Sequence, residues 1–267
     1  MNLVAASKLQ KVKPRLEGIR SLQESITQAM DYVRSRIDPD EEIPFTENRE
    51  VKNIAYIVLS GDRGLCGGYN NNVSKEALSI VESHRDKKEH IIAIGAKGAD
   101  YFRRRKKNVI LRTESASEAT AYIDAEIITH KLTTMYKKGE IDEAYIIYTH
   151  FESVLTHIPY TVRLLPLKPD SSTTAASAWS ASLSMLYEPD AKAFIEHAVP
   201  LYLSASIYGA MLEAAVCESA ARMTNMDSAT RNATEIIEDL TLQFNRMRQS
   251  MITQEITEIV SGANAIT

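Results

Sequence analysis

From Leu201 to Gly262 the chain contains no proline, and only Gly209 interrupts its helix-forming residues. A single helix of about 60 residues, roughly 90 Å long at 1.5 Å per residue, is therefore allowed. Globular helices average about 11 or 12 residues, and a helix several times longer needs a neighbour along its length. Ile207, Ala210, Ala214, Cys217 and Ala221, continuing as Ala229, Ala233, Ile236, Leu240, Phe244, Met247 and Met251, recur mostly in steps of three and four, which is the seam of a coiled coil. The first half of that seam is small and permits close approach; the second half is bulky.

One other long seam exists. Leu9, Val12, Leu16, Ile19, Leu22, Ile26, Met30, Val33 and Ile37 follow the same spacing, so the N-terminal stretch is predicted as a second helix. Pro14 and Gly18 weaken it, and a kink is expected near Pro14. The two seams are expected to pair antiparallel as a shaft.

Between them the periodicity changes. Val51–Ser60, His90–Gly95, Asn108–Arg112 and Glu143–Tyr148 are short β-branched runs of the kind buried in a sheet, with a fifth at Tyr160–Pro166. Helical patterns at Asn72–Arg85, Ala96–Arg105 and Glu118–Lys138 separate them. Strands alternating with helices predict a mostly parallel, right-handed α/β layer. The fold class is thus α/β: a long antiparallel coiled coil of the N- and C-terminal helices with an inserted Rossmann-like, mostly parallel five-stranded domain. The expected divisions are 1–48 for the first coiled-coil helix, 49–168 for the α/β domain, 169–188 for a Ser/Thr/Ala-rich linker, and 189–267 for the second coiled-coil helix.

A net charge of -4 offers no global field for a phosphate backbone, so nucleic acid is not expected as a partner. The one dense basic run, Arg103–Lys107, reads as a solvated helix end with cations against the carbonyl dipole. Cys66 and Cys217 form no CxxC pair and the six histidines form no ligand spacing, so neither a disulfide framework nor a metal site is expected. No signal peptide is visible and no stretch of about 18 apolar residues is expected to span a membrane; any membrane association would come through partners. No catalytic constellation can be singled out, and no cofactor is expected.

Ser60–Asn70, SGDRGLCGGYN, follows the first strand and precedes a helix, where α/β proteins put phosphates. It lacks the lysine and hydroxyl of a P-loop and does not space its glycines as GxGxxG. A tight structural turn, a surface for another subunit, and a nucleotide site all remain open for it. Arg248–Val260 carries apolar residues on more than one side, so Ile252, Ile256, Ile259 and Val260 need covering.

SGDRGLCGGYN at 60–70, ARMTNMDSATRNA at 221–233, RQSMITQEITEIVSGANAI at 248–266 and VAASKL at 4–9 resemble the gamma subunit of F-type ATP synthases, in one order along essentially the whole chain. The resemblance implies a non-catalytic rotor shaft with no cofactor, coupling ion-driven rotation of a c-ring to ATP synthesis or hydrolysis in an alpha/beta hexamer. It implies alpha, beta and epsilon subunits and the c-ring as partners, and a peripheral place on the cytoplasmic face of a bacterial inner membrane. By the same resemblance Arg248, Gln249, Thr253 and Glu255 match positions that contact the beta subunits. Glu218 and Arg222 match a polar cluster in the same helix, and Leu3, usually methionine in the family, and Lys8 lie near the moving beta lever. The family usually carries about twenty further residues before VAASKL, roughly 30 Å if helical, and is often net basic. The alternatives are an α/β nucleotide-binding enzyme with helical dimerisation arms, and a shortened gamma-like adaptor that does not rotate.

Overall fold

The computed structural model describes residues 2–34, 45–46, 49–114, 121–153, 156–167 and 190–264, without the side chains of 2–13, 16, 17, 34 and 263. The elements run α1 (Asn2–Arg34), β1 (Asn53–Leu59), α2 (Tyr69–Ser83), β2 (Lys88–Ile94), α3 (Ala96–Arg104), β3 (Val109–Thr113), α4 (Ala121–Lys137), β4 (Glu143–Phe151), β5 (His157–Leu165) and α5 (Ala191–Asn264). They form two compact units, residues 1–223 and 224–267, with α5 contributing its first part to one and its remainder to the other. The linker expected at 169–188 lies outside the described residues.

The sheet order is β3-β2-β1-β4-β5. β1 pairs in parallel with β2 and β4, and β2 with β3. Such strands are covered on both faces, which is why they read as continuous apolar runs: Ile54 to Leu59 are each 1% exposed or less. The fifth strand begins at His157, three residues earlier than its β-branched run suggests, and lies antiparallel to β4. Pro159 falls inside it, which a strand at the sheet edge tolerates because the missing N–H faces no partner.

Three layers result. On one face, Val73, Ala77 and Val81 of α2 and Phe102 of α3 pack on Ile54, Tyr56, Val58 and Ile91. On the other, Ile128 and Leu132 of α4 and Ile195, Val199, Leu203 and Ile207 of α5 pack on Ile57, Leu59, Ile92 and Ile146. Each of these large side chains contributes about 1.5–3 kcal/mol on burial.

α5 begins ten residues before the proline-free stretch. Asp190 caps it, accepting from the Ala193 amide at 2.7 Å, and Pro200 sits inside it. A proline there costs an internal hydrogen bond, which the buried contacts of Val199 and Leu203 offset. α5 also contains an 18-residue window of mean hydropathy 1.3, apolar enough by composition to cross a membrane, against the sequence expectation; that window is 67% buried inside the protein. The reason is double coverage, by the sheet on one side and α1 on the other.

α1 runs through Pro14 as one helix. Arg20 meets Glu213 and Gln23 lies beside Gly209, so numbers rise along α1 as they fall along α5: the pair is antiparallel, as the seams require. Ile26 and Val33 are buried while Leu22 is 42% exposed, so the α1 seam is narrower than its spacing suggests.

Candidate functional site

In an open α/β sheet, ligands bind in the crevice beyond the carboxyl ends of the strands. Here that crevice is occupied by the chain itself. Met211, Ala214, Ala215 and Glu218 of α5 close against Leu59, Ser60, Tyr69 and Ile94, leaving a cavity of about 20 Å³, room for one water. The small half of the α5 seam makes this possible: Ala210, Ala214, Cys217 and Ala221 are all 7% exposed or less.

The glycine-rich loop forms the contact. The Ser60 hydroxyl donates to the Ile94 carbonyl at 3.0 Å and accepts from the Gly98 amide at 2.8 Å. Asp62 accepts from the Ala96 amide at 2.8 Å, so a carboxylate of the chain itself stands at the α3 N-terminus where an anion would otherwise be favoured. The Asn70 side chain accepts from the Gly61 amide at 2.7 Å and donates to the Arg63 carbonyl at 3.1 Å. Gly95 has φ +93°, and a Cβ on it would lie 2.2 Å from the Ser60 carbonyl oxygen; only glycine fits this approach of β1 to β2.

The loop then latches onto α5. Tyr69 donates its hydroxyl to the Ala214 carbonyl at 3.0 Å. Burial holds the Tyr69 phenol well above its ordinary range, with the Glu218 carboxylate adding to it, so it stays a neutral donor. Cys66, Tyr69, Cys217 and Ala221 form one apolar cluster. Cys217 donates to the Thr149 carbonyl at 3.3 Å, and burial followed by the Glu213 charge pushes its thiol far up. Beside them Arg222 and Glu218, four residues apart, form a short ion pair. A Cβ at Gly61 would come 2.8 Å from the Glu218 carboxyl group.

A second polar tie lies in an open cleft of about 660 Å³ between α1, α5 and the β4–β5 surface. Glu213, 5% exposed, accepts from the Phe151 amide at 3.1 Å and lies 2.8 Å from His150 Nδ1 and 3.5 Å from Arg20. One carboxylate thus joins α1, β4 and α5. Nothing in the sequence marks Glu213 out; only the fold brings its three partners together.

The sequence-derived contact residues separate into three groups. Glu218 and Arg222 sit at the latch, engaged with the chain's own loop. Arg248, Gln249, Thr253 and Glu255 are exposed on α5 in the second unit. Leu3 and Lys8 fall within α1, but their side chains lie outside the described residues. In the second unit the bulky seam is bare: Ile236, Leu240, Phe244, Met247, Met251 and Ile259 are 57–71% exposed.

Among the described residues no group of three or more His, Cys, Asp or Glu side chains is placed to hold a metal ion. A family profile described as ATP synthase matches residues 1–266. The chain is 37% identical to the sodium ion specific ATP synthase gamma chain of Acetobacterium woodii, covering 100% of this chain and 92% of that protein. It is 39% identical to the ATP synthase gamma chain of Alkaliphilus metalliredigens, covering 100% and 91%. In fold it is similar to a chain of the Tetrahymena thermophila mitochondrial ATP synthase central stalk and c-ring, with TM-score 0.63 and 21% identity over 86% of this chain and 97% of that one. A chain of the Euglena gracilis mitochondrial enzyme, from its OSCP/F1/c-ring assembly, gives TM-score 0.61 and 17% identity over 99% and 94%.

Proposed function

The chain belongs to the gamma-subunit family of ATP synthases, and from that membership we propose that it is the central shaft of such an enzyme, turning inside an alpha/beta hexamer and carrying no catalytic group of its own. The observation that supports this best is the bare apolar seam of residues 224–264. Exposed contiguous apolar surface of that length marks a partner.

In this reading the α/β domain, near 49–168, docks with the epsilon subunit and the c-ring, and ion flow through the ring turns the body. The helices at 1–48 and 189–267 carry the torque, with 169–188 as the linker between body and shaft. The enzyme sits peripherally on the cytoplasmic face of a bacterial membrane. Arg248, Gln249, Thr253 and Glu255, with Glu218, Arg222, Leu3 and Lys8, meet loops and levers of the alpha and beta subunits.

The mechanism is differential contact. A shaft drives a catalytic subunit from one state to another only by as much as its contacts favour one over the other. A full population shift needs about 5.5 kcal/mol, and each bulky side chain covered contributes about 1.5–3 kcal/mol. Two to four seam residues gained or lost per orientation therefore suffice. The latch supplies rigidity within the body, because torque applied to the sheet reaches α5 through Tyr69, the cysteine cluster and Glu213.

Co-expression with the cognate alpha and beta subunits, followed by ATPase assay and single-particle imaging, tests the proposal. Density for residues 224–264 in the central cavity of an active hexamer is expected. An active, stable hexamer with this chain bound only at its outside would support the non-rotating adaptor instead.

A further inference from the structure

The α2–β2 and α3–β3 connections lie side by side at one edge of the sheet, where the Asn108 side chain donates to the Glu89 carbonyl at 3.1 Å. Residues 82–89 and 101–107 bring eight basic and three acidic side chains there, in a chain whose net charge is -4. Each acid is already matched, Glu82 by Arg85, Asp86 by Lys87 and Glu89 by Lys107. Arg105 lies over the Tyr101 ring at 3.6 Å. Among the described residues that leaves Lys88, Arg103, Arg104 and Lys106, all exposed, without an ion-pair partner.

A solvated helix end accounts for arginines in the last turn of α3 but not for the turn that follows. The Lys106 amide donates to the Arg103 carbonyl at 3.0 Å and the Lys107 amide to the Phe102 carbonyl at 3.1 Å, the two bonds of a Schellman turn. Its left-handed position is held by Lys106, with φ +56°, where glycine fits without strain. The Lys106 side chain is exposed, and glycine would hold the same turn at lower cost. Strain retained at an exposed cation points to a use outside the chain.

We propose that this corner is a docking surface for an acidic polypeptide segment on a neighbouring subunit, its carboxylates held by Arg103, Arg104 and Lys106. Two features favour carboxylates on a protein over lipid headgroups. The turn is fixed by its backbone bonds, and Arg105 is pinned on Tyr101, which is preorganisation that diffuse attraction to a membrane surface does not need. Guanidinium groups also match carboxylates in forked geometry. The inference rests on the chain being assembled with other subunits, as proposed above.

The test uses the full-length chain and two variants, Lys106→Gly and the double variant Arg103→Gln/Arg104→Gln. Binding to the separately purified alpha/beta hexamer, epsilon subunit, c-ring in detergent, and phosphatidylglycerol vesicles is titrated at low and high salt. Lys106→Gly is expected to melt at or above the wild-type temperature yet bind one subunit more weakly, by roughly two- to fivefold per cation removed, with a flatter salt dependence. The double variant is expected to lose more at that same subunit. Variants that bind every subunit like wild type, or lose affinity only for vesicles, overturn the proposal. A wild-type chain that binds no subunit overturns the shaft reading itself.

Discussion

Gly95→Ala is expected to destabilise the α/β body by roughly 3–6 kcal/mol. The backbone there has φ +93° and ψ 140°, a region essentially closed to residues with a Cβ, costing about 1–3 kcal/mol. The added methyl would lie 2.2 Å from the Ser60 carbonyl oxygen and 2.6 Å from its carbon, so β1 and β2 must part at their carboxyl ends. That movement threatens the Ser60 amide bond to Ile94, the Gly95 amide bond to Thr113 and the Gly98 amide bond to the Ser60 hydroxyl. Each is worth about 0.5–1.5 kcal/mol net, and losing two or three completes the total, a large part of the 5–15 kcal/mol that holds a typical domain. Gly139 and Gly64 provide graded controls: Gly139 has φ +70° and no atom within 4 Å of an added Cβ, while Gly64 has neither obstacle. Their alanine variants are expected to cost about 1–2 kcal/mol and within about 0.5 kcal/mol respectively. Native-state amide exchange in the centres of β1 and β2 reads the body's opening free energy directly. If Gly95→Ala costs no more than Gly139→Ala, the close approach of Ser60 is not what fixes the loop.

Three further outcomes are expected. Cys66 and Cys217 are 2% and 0% exposed, and burial raises both thiols, so neither is alkylated by iodoacetamide in the native chain at pH 8 while both are in denaturant; rapid native labelling at Cys66 would contradict the latch. Arg222→Ala, which leaves the Glu218 carboxylate unpaired at 15% exposure, is expected to cost about 1–2 kcal/mol by denaturant titration, with adding Glu218→Gln recovering part of it. Burial lowers the His90 and His157 imidazoles below their ordinary 6.5, and both Nε2 atoms lack a hydrogen-bond partner among the described residues; the unfolded chain therefore binds more protons near and below that pH, and stability falls as pH drops through it. Replacing both with glutamine should flatten that fall, and an unchanged slope would rule these two groups out as its cause.

The fold was legible where a residue pattern had one physical solution. Apolar-rich runs of five to ten residues between helical stretches left little choice but a mostly parallel sheet covered on both faces, and Ala210, Ala214, Cys217 and Ala221 signalled a close approach, although the surface they meet is the sheet and the glycine-rich loop rather than the N-terminal seam alone. Boundaries were legible only where local signals acted alone. The proline-free stretch begins at Leu201, but buried neighbours carry α5 back through Pro200 to the Asp190 cap. The fifth β-branched run begins at Tyr160, but the strand starts at His157 because a sheet edge tolerates Pro159 inside it. The latch was half visible: SGDRGLCGGYN stood out as a loop, yet that its crevice is filled by α5 follows from tertiary packing alone. Glu213 was invisible, since a glutamate inside a helix shows nothing of an amide 62 residues away in sequence.

The most direct test of the shaft reading is to attach a visible probe to the α/β body of this chain, assembled with surface-immobilised alpha and beta subunits, and to add ATP. A rotating shaft turns the probe continuously in one direction, and the probe stops when a disulfide fixes a residue of the 236–251 seam to a beta subunit. Sustained ATP hydrolysis with a stationary probe, or rotation unaffected by that crosslink, would contradict the shaft reading.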